Sequence, residues 1–148
     1  MASTDEFLFG LKKKTLYEKY IEDATIQLTK PESYILNDSI LNYDVLAIFF
    51  KNNNNYRSIQ WIPGNVIADP TFKDVSFLLG IQVPGTGGTT YEKGTHWSQC
   101  TMFGVSEDGI TITQLYSSEL RLRPSGKTDS GNTNYVLRIE KVVGLKFI

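Results

Sequence analysis

The chain has 148 residues, of which 41% are hydrophobic and 21% charged, with 15 basic and 16 acidic side chains and a formal net charge of −1. That length and balance fit one folded domain with a packed core and lack the basic excess expected of a nucleic-acid binder. No run of about 18 apolar residues predicts a membrane-spanning helix, and one Cys with one His leaves no internal disulfide and too few soft ligands for a metal site.

The first residues, Met1-Ala2-Ser3-Thr4-Asp5-Glu6, are polar and acidic where a secretory signal is basic and then apolar. Residues 1–15 read as a short N-terminal arm. It carries an apolar cluster, Phe7, Leu8, Phe9 and Leu11, followed by Lys12, Lys13 and Lys14. Exposed apolar side chains on a free arm are costly, so the cluster either packs on its own domain as an added strand or docks to a partner. The three lysines are either a solvated face or an electrostatic anchor.

Residues 15–23 are the one stretch with a helical look. After them, Ala24, Ile26 and Leu28 alternate with Thr25, Gln27 and Thr29, which predicts a strand. Residues 45–50 are apolar throughout, as in a central strand covered on both faces, and the run Asn52-Asn53-Asn54-Asn55 supplies the turn after it. Ile59 and Trp61 alternate with Ser58 and Gln60. Residues 84–93 form a Gly- and Thr-rich loop that ends near Tyr91; it lacks the Gly-Lys-Ser/Thr of a phosphate-binding loop. Residues 97–105 and 110–115 are predicted to pair as a hairpin through Ser106-Glu107-Asp108-Gly109. Leu120 and Leu122 alternate with Glu119, Arg121 and Arg123. From Tyr135 to Phe147 the odd positions are apolar except for Lys141, which predicts a long strand with one buried face.

About eight antiparallel strands, separated by turn signals, predict an all-β chain folded as a single β-sandwich of jelly-roll type or as a barrel, the sandwich being the expectation carried forward. The arm would occupy residues 1–15 and the sandwich residues 16–148. Residues 21–120 carry an acidic excess and residues 121–148 a basic one; these charges either neutralise one another within the fold or let identical subunits meet.

Three segments together resemble a known family. The first is Ala24-Thr25-Ile26-Gln27-Leu28, then Leu36-Asn37-Asp38-Ser39-Ile40-Leu41-Asn42-Tyr43-Asp44, then residues 45–50. The second is Gly109-Ile110-Thr111-Ile112-Thr113. The third is Tyr135-Val136-Leu137-Arg138-Ile139-Glu140-Lys141-Val142-Val143-Gly144-Leu145-Lys146. Their order, over residues 16–148, resembles a small β-sandwich domain at the C-termini of fibre and accessory structural proteins of tailed bacteriophages. The resemblance implies a virion location and a scaffold without catalytic residues, so the protein is expected not to be an enzyme. Many relatives join this domain to a long fibrous shaft, whereas here only the short arm precedes it. The expectation is therefore a head-fibre, decoration or other minor accessory subunit. Residues Phe7, Leu8, Phe9, Leu11, Lys12, Lys13 and Lys14 would attach it to capsid or tail proteins, with no cofactor, no metal, and a homo-oligomeric state, a trimer by analogy with phage fibres.

The alternative is a tail-associated receptor-binding module for host cell-surface carbohydrate. Tyr91 and Trp97 would then be stacking platforms, with His96 beside them. His96 and Cys100 share one face of a strand and offer two metal ligands at most, so a core or loop role fits them better. A hydrolase built on paired carboxylates has only their abundance in its favour.

Overall fold

The strand signals resolve, in the computed structural model, into two antiparallel sheets; the structure describes residues 6–8, 11–26, 28–64, 76–84, 96–126, 128–131 and 135–147. Among these residues, one sheet contains, in order, β1 (Glu6–Leu8), β2 (Leu11–Glu18), β10 (Arg138–Phe147), β4 (Val45–Lys51) and β5 (Arg57–Pro63). The other contains β3 (Ser33–Ile35), β8 (Thr111–Leu122), β7 (His96–Val105) and β6 (Ser76–Pro84), with β9 (Thr128–Gly131) alongside the end of β8 that β3 leaves free. The expected all-β sandwich is thus the fold of the chain. It begins like a jelly roll, since β2 pairs with β10 and β3 with β8. The inner strands follow a simpler route: β4–β5 and β6–β7–β8 pair with their neighbours in sequence.

One contiguous core lies between the sheets. Leu16, Leu46, Ile48, Phe50, Ile62, Ile139 and Val142 contribute from the first sheet, and Tyr34, Phe77, Leu79, Phe103 and Ile112 from the second. Phe103 is fully buried and stacks on Phe77 with centroids 5.4 Å apart. Tyr34 meets Tyr17 edge to face at 5.4 Å, a favoured aromatic geometry. Its hydroxyl donates to Glu32 Oε1 (3.0 Å) and accepts from the Ile139 amide (3.2 Å). Burial raises the Tyr34 phenol far above its ordinary value, so it stays protonated and available as a donor.

Bulges decide which side chains face this core. Between β7 and β8 the register passes from Met102↔Tyr116 to Phe103↔Gln114, leaving Leu115 as the extra residue. The inward positions of β8 therefore change from Ile112 and Gln114 to Ser117 and Glu119, and Leu120 and Leu122 face outward. In β10 the register shifts at Ile139/Lys141 and again at Val142/Val143. Ile139 and Val142 face the core, whereas Val143 and Leu145 join Ala47 in a second apolar cluster on the outer side of the sheet. The single buried face expected for this strand is thus divided between two faces, and Lys141, the one break in the alternation, sits at the first shift.

Two other expectations are corrected. Residues 15–23 are not helical, because β2 continues to Glu18 and pairs with β10 along its length. Residues 24–26 form a turn rather than a strand. Asp23 Oδ1 accepts from both the amide and the hydroxyl of Thr25 (2.9 and 2.6 Å), and the Ala24 amide donates to Asn55 Oδ1 (2.8 Å). Local side-chain acceptors thus satisfy the backbone that a strand would have paired. The boundary expected after residue 15 falls within β2.

The segments that carry the family resemblance, apart from the turn around residue 24, meet at one corner. Asp38 accepts from the Tyr43 hydroxyl (2.8 Å), the Ser39 amide (2.8 Å) and Asn42 Nδ2 (3.0 Å). Ser39 caps the short 3₁₀ turn Ile40–Asn42 and donates to the Asp108 carbonyl (2.6 Å). The Ile40 amide reaches the Gly109 carbonyl (3.0 Å), and the Asp44 amide the Leu145 carbonyl (2.9 Å). Gly109 has a φ of +73°, a conformation natural to glycine. The Tyr43 ring lies so close over Gly144 that a Cβ there would sit 2.5 Å from it.

Candidate interaction surface

The expected site residues are dispersed by the fold. Phe9 and Tyr91 lie outside the described residues, and Phe7 and Leu8 belong to β1. Leu11, Lys12, Lys13 and Lys14 belong to β2; Leu11 packs against the outer apolar cluster and Lys14 Nζ lies 3.4 Å from Asp38 Oδ2. His96 and Trp97 are neighbours on β7 and project to opposite faces. His96 is exposed, while Trp97 is half-buried on the inner side with the Arg121 guanidinium 4.6 Å above its ring. One face of the indole is therefore already covered. Cys100 shares the outer face with His96, but its Sγ is 3.0 Å from Ser118 Oγ. Among the described residues no group of three or more His, Cys, Asp or Glu side chains is placed to hold a metal ion, and no helix is long and apolar enough to cross a membrane.

The buried and half-buried carboxylates have structural partners. Glu32 receives two bonds from Arg138 (2.7 and 2.9 Å) and one from Tyr34. Burial alone would raise its pKa, but the Arg138 guanidinium and the Tyr34 hydroxyl outweigh it and hold the carboxyl below its ordinary value. Glu119 accepts from Gln99 Nε2 (2.9 Å) and from Arg121. Glu140 accepts from the Ile21 amide (3.0 Å) and Arg57 Nε (2.9 Å).

The most distinctive surface lies on the outer side of the first sheet. Strand register places Trp61, Ala47 and Val143 in one row and Ile59, Phe49 and Lys141 in the next. Ala47 and Val143 are buried beneath this layer, whereas Ile59 is 50% exposed and Trp61 62%. Beside Ile59 opens a cleft of about 520 Å³, lined by residues that include Tyr20, Phe49, Arg57, Ile59 and Glu140. Arg57 and Lys51 stand over the Tyr20 ring at 5.1 and 5.6 Å, and Lys141 over Phe49 at 5.6 Å. The charges at the rim are paired, Arg57 with Glu140 and Lys141 with Glu18, so the cleft presents an apolar interior with a neutralised margin. Such a shape suits an apolar or aromatic knob.

Sequence reasoning found Ile59 and Trp61 as part of an alternating strand but carried no signal that this apolar set faces solvent. The inward set is Ser58, Gln60 and Ile62. Gln60 closes the sandwich on this side: its Nε2 donates to the Leu78 carbonyl (2.7 Å) and its Oε1 accepts from the Gly80 amide (3.2 Å), which engages the edge of β6. No family model and no curated protein matches the chain.

Proposed function

We propose that the protein is a structural subunit of a tailed-bacteriophage particle, a head-fibre, decoration or other minor accessory subunit, and that it acts by binding rather than by catalysis. The observation that carries this reading is the convergence of parts of the three motif regions on one corner, where Asp38 accepts from Ser39 and Tyr43, Ser39 donates to the Asp108 carbonyl, the Ile40 amide to the Gly109 carbonyl and the Asp44 amide to the Leu145 carbonyl. The resemblance therefore concerns one connected folding unit rather than three separate coincidences. A rigid sandwich whose buried carboxylates have structural partners, and which presents an open apolar surface, supports a role in assembly.

Attachment runs through the N-terminal residues Phe7, Leu8, Phe9, Leu11 and Lys12 to Lys14. Because β2 begins at Leu11, removing residues 1–10 keeps that strand and is the informative truncation. Mixed with particles that lack the protein, the truncated chain is expected not to decorate them; undiminished decoration overturns the attachment route. Immunogold labelling of purified particles tests the reading itself. Gold on heads supports it, gold on tails favours the receptor-binding alternative, and unlabelled particles reject both.

A further inference from the structure

We infer that the protein self-associates through β5 as a two-fold dimer. The Gly64 amide donates to the Asp44 carbonyl (2.7 Å) and the Asn52 amide to the Tyr56 carbonyl (2.9 Å). These bonds flank β5 and show that its even-numbered residues bond to β4. In an antiparallel ladder the alternate residues point their amides and carbonyls the other way. Arg57, Ile59 and Trp61 thus direct backbone donors and acceptors away from β4, at a sheet edge that no other strand covers among the described residues. Pro63, the next in this series, has no amide to offer. An unpaired edge of this kind is a template for another strand.

The side chains of the same three residues select a second copy as that strand. Pairing two β5 strands antiparallel about a two-fold axis at Ile59 sets Ile59 opposite the partner's Ile59, and Arg57 opposite the partner's Trp61. Every outward amide and carbonyl of Arg57, Ile59 and Trp61 then finds its complement, and Pro63 falls beyond the paired segment and ends it. The exposed Trp61 of each copy is brought beside Arg57 and Ile59 of the other, which are two walls of the cleft. Knob and cleft lie on one strand, two to four residues apart, so a single axis fills both clefts at once, as an isologous interface requires. Indole against guanidinium is a favourable pairing, and Glu140, paired with Arg57, keeps each guanidinium from adding net charge to the interface. Gln60 remains turned inward on β6, so the dimer joins the first sheets of two copies and leaves the second sheets apart.

This inference rests on the reading of the protein as an assembly subunit but not on which particle it joins. Sedimentation velocity of the purified full-length chain over a micromolar concentration series tests it without particles, so its failure leaves the labelling result untouched. The expected result is a doubling of mass with rising concentration. Trp61→Arg, which sets like charges face to face, should weaken association at least tenfold. Ile59→Pro removes one outward amide while keeping the β4 ladder and should have the same effect. Leu122→Arg, on the outer face of the other sheet, should leave association unchanged. Hydrogen exchange should slow at the Ile59 and Trp61 amides in the associated wild type only. A wild type that stays monomeric, forms a trimer, or dimerises equally well as Trp61→Arg overturns the inference; should Ile59→Pro fail to fold, Trp61→Arg decides alone.

Discussion

The space between the two sheets has two different regions. Around Phe103 it is filled by Phe77, Tyr34, Ile112 and Leu46, and the packing is apolar. Further along β7 and β8 the inward residues are Gln99, Thr101, Gln114, Ser117 and Glu119, all buried. These polar groups satisfy backbone that enters β10 before its ladder begins. Thr101 Oγ1 accepts from the Leu137 amide (3.2 Å), Ser117 Oγ from the Val136 amide (3.1 Å), and Gln114 Nε2 donates to the Leu137 carbonyl (2.8 Å). Gln99 Oε1 accepts from Asn52 Nδ2 (3.1 Å) and links the network to the β4–β5 turn. The apolar region contributes through contact and water exclusion, the polar region by replacing missing ladder bonds, since a buried peptide group without a partner is expensive.

Substitutions that treat the two regions differently sharpen this contrast. The largest effect is expected from Phe103→Ala, which opens a cavity in the apolar region and should destabilise by about 3–5 kcal/mol in urea denaturation. Gln99→Leu keeps similar bulk but removes the acceptor of Asn52 Nδ2 and one of the two donors to Glu119, which keeps Arg121; a loss of about 1–3 kcal/mol is expected. If the leucine is neutral, the polar region owes its stability to packing after all.

The Glu32–Arg138 pair, at the border of the two, adds a pH signature. The folded Glu32 carboxyl lies below its ordinary value, so its contribution is complete above the unfolded value of about 4.3 and is lost as pH falls through the lower folded value. The Tm of the wild type should therefore drop in acid. Arg138→Met should lower the Tm at neutral pH and flatten that drop, which scanning calorimetry at several pH values would show. The smallest effect is expected from Trp61→Ser. This side chain lies outside both regions and is 62% exposed, so thermodynamic stability measured on dilute protein should stay within about 0.5 kcal/mol of the wild type.

Much of the fold was legible in the chain. The apolar run at residues 45–50 is β4, flanked by β10 and β5 and apolar on both faces. Asp108-Gly109 makes the hairpin between β7 and β8, with Gly109 in the left-handed region that such turns favour. The candidate site was less legible. His96 and Trp97 were adjacent in sequence, and the pleat sent them to opposite faces; Ile59 and Trp61 gave the pattern of a half-buried strand and turned their apolar set outward.

That this chain forms strands, where most of its turns fall, and which residues fix them follow from residue type and short spacing, which act locally. Which face of each strand lies inside follows instead from how the strands pair and pack. A single extra residue at Leu115, or a register shift beside Lys141, exchanges the two faces of everything that follows, and its cost depends on the partner strand rather than on the residues themselves. That is why Glu119 is buried while Leu120, the next residue, faces solvent.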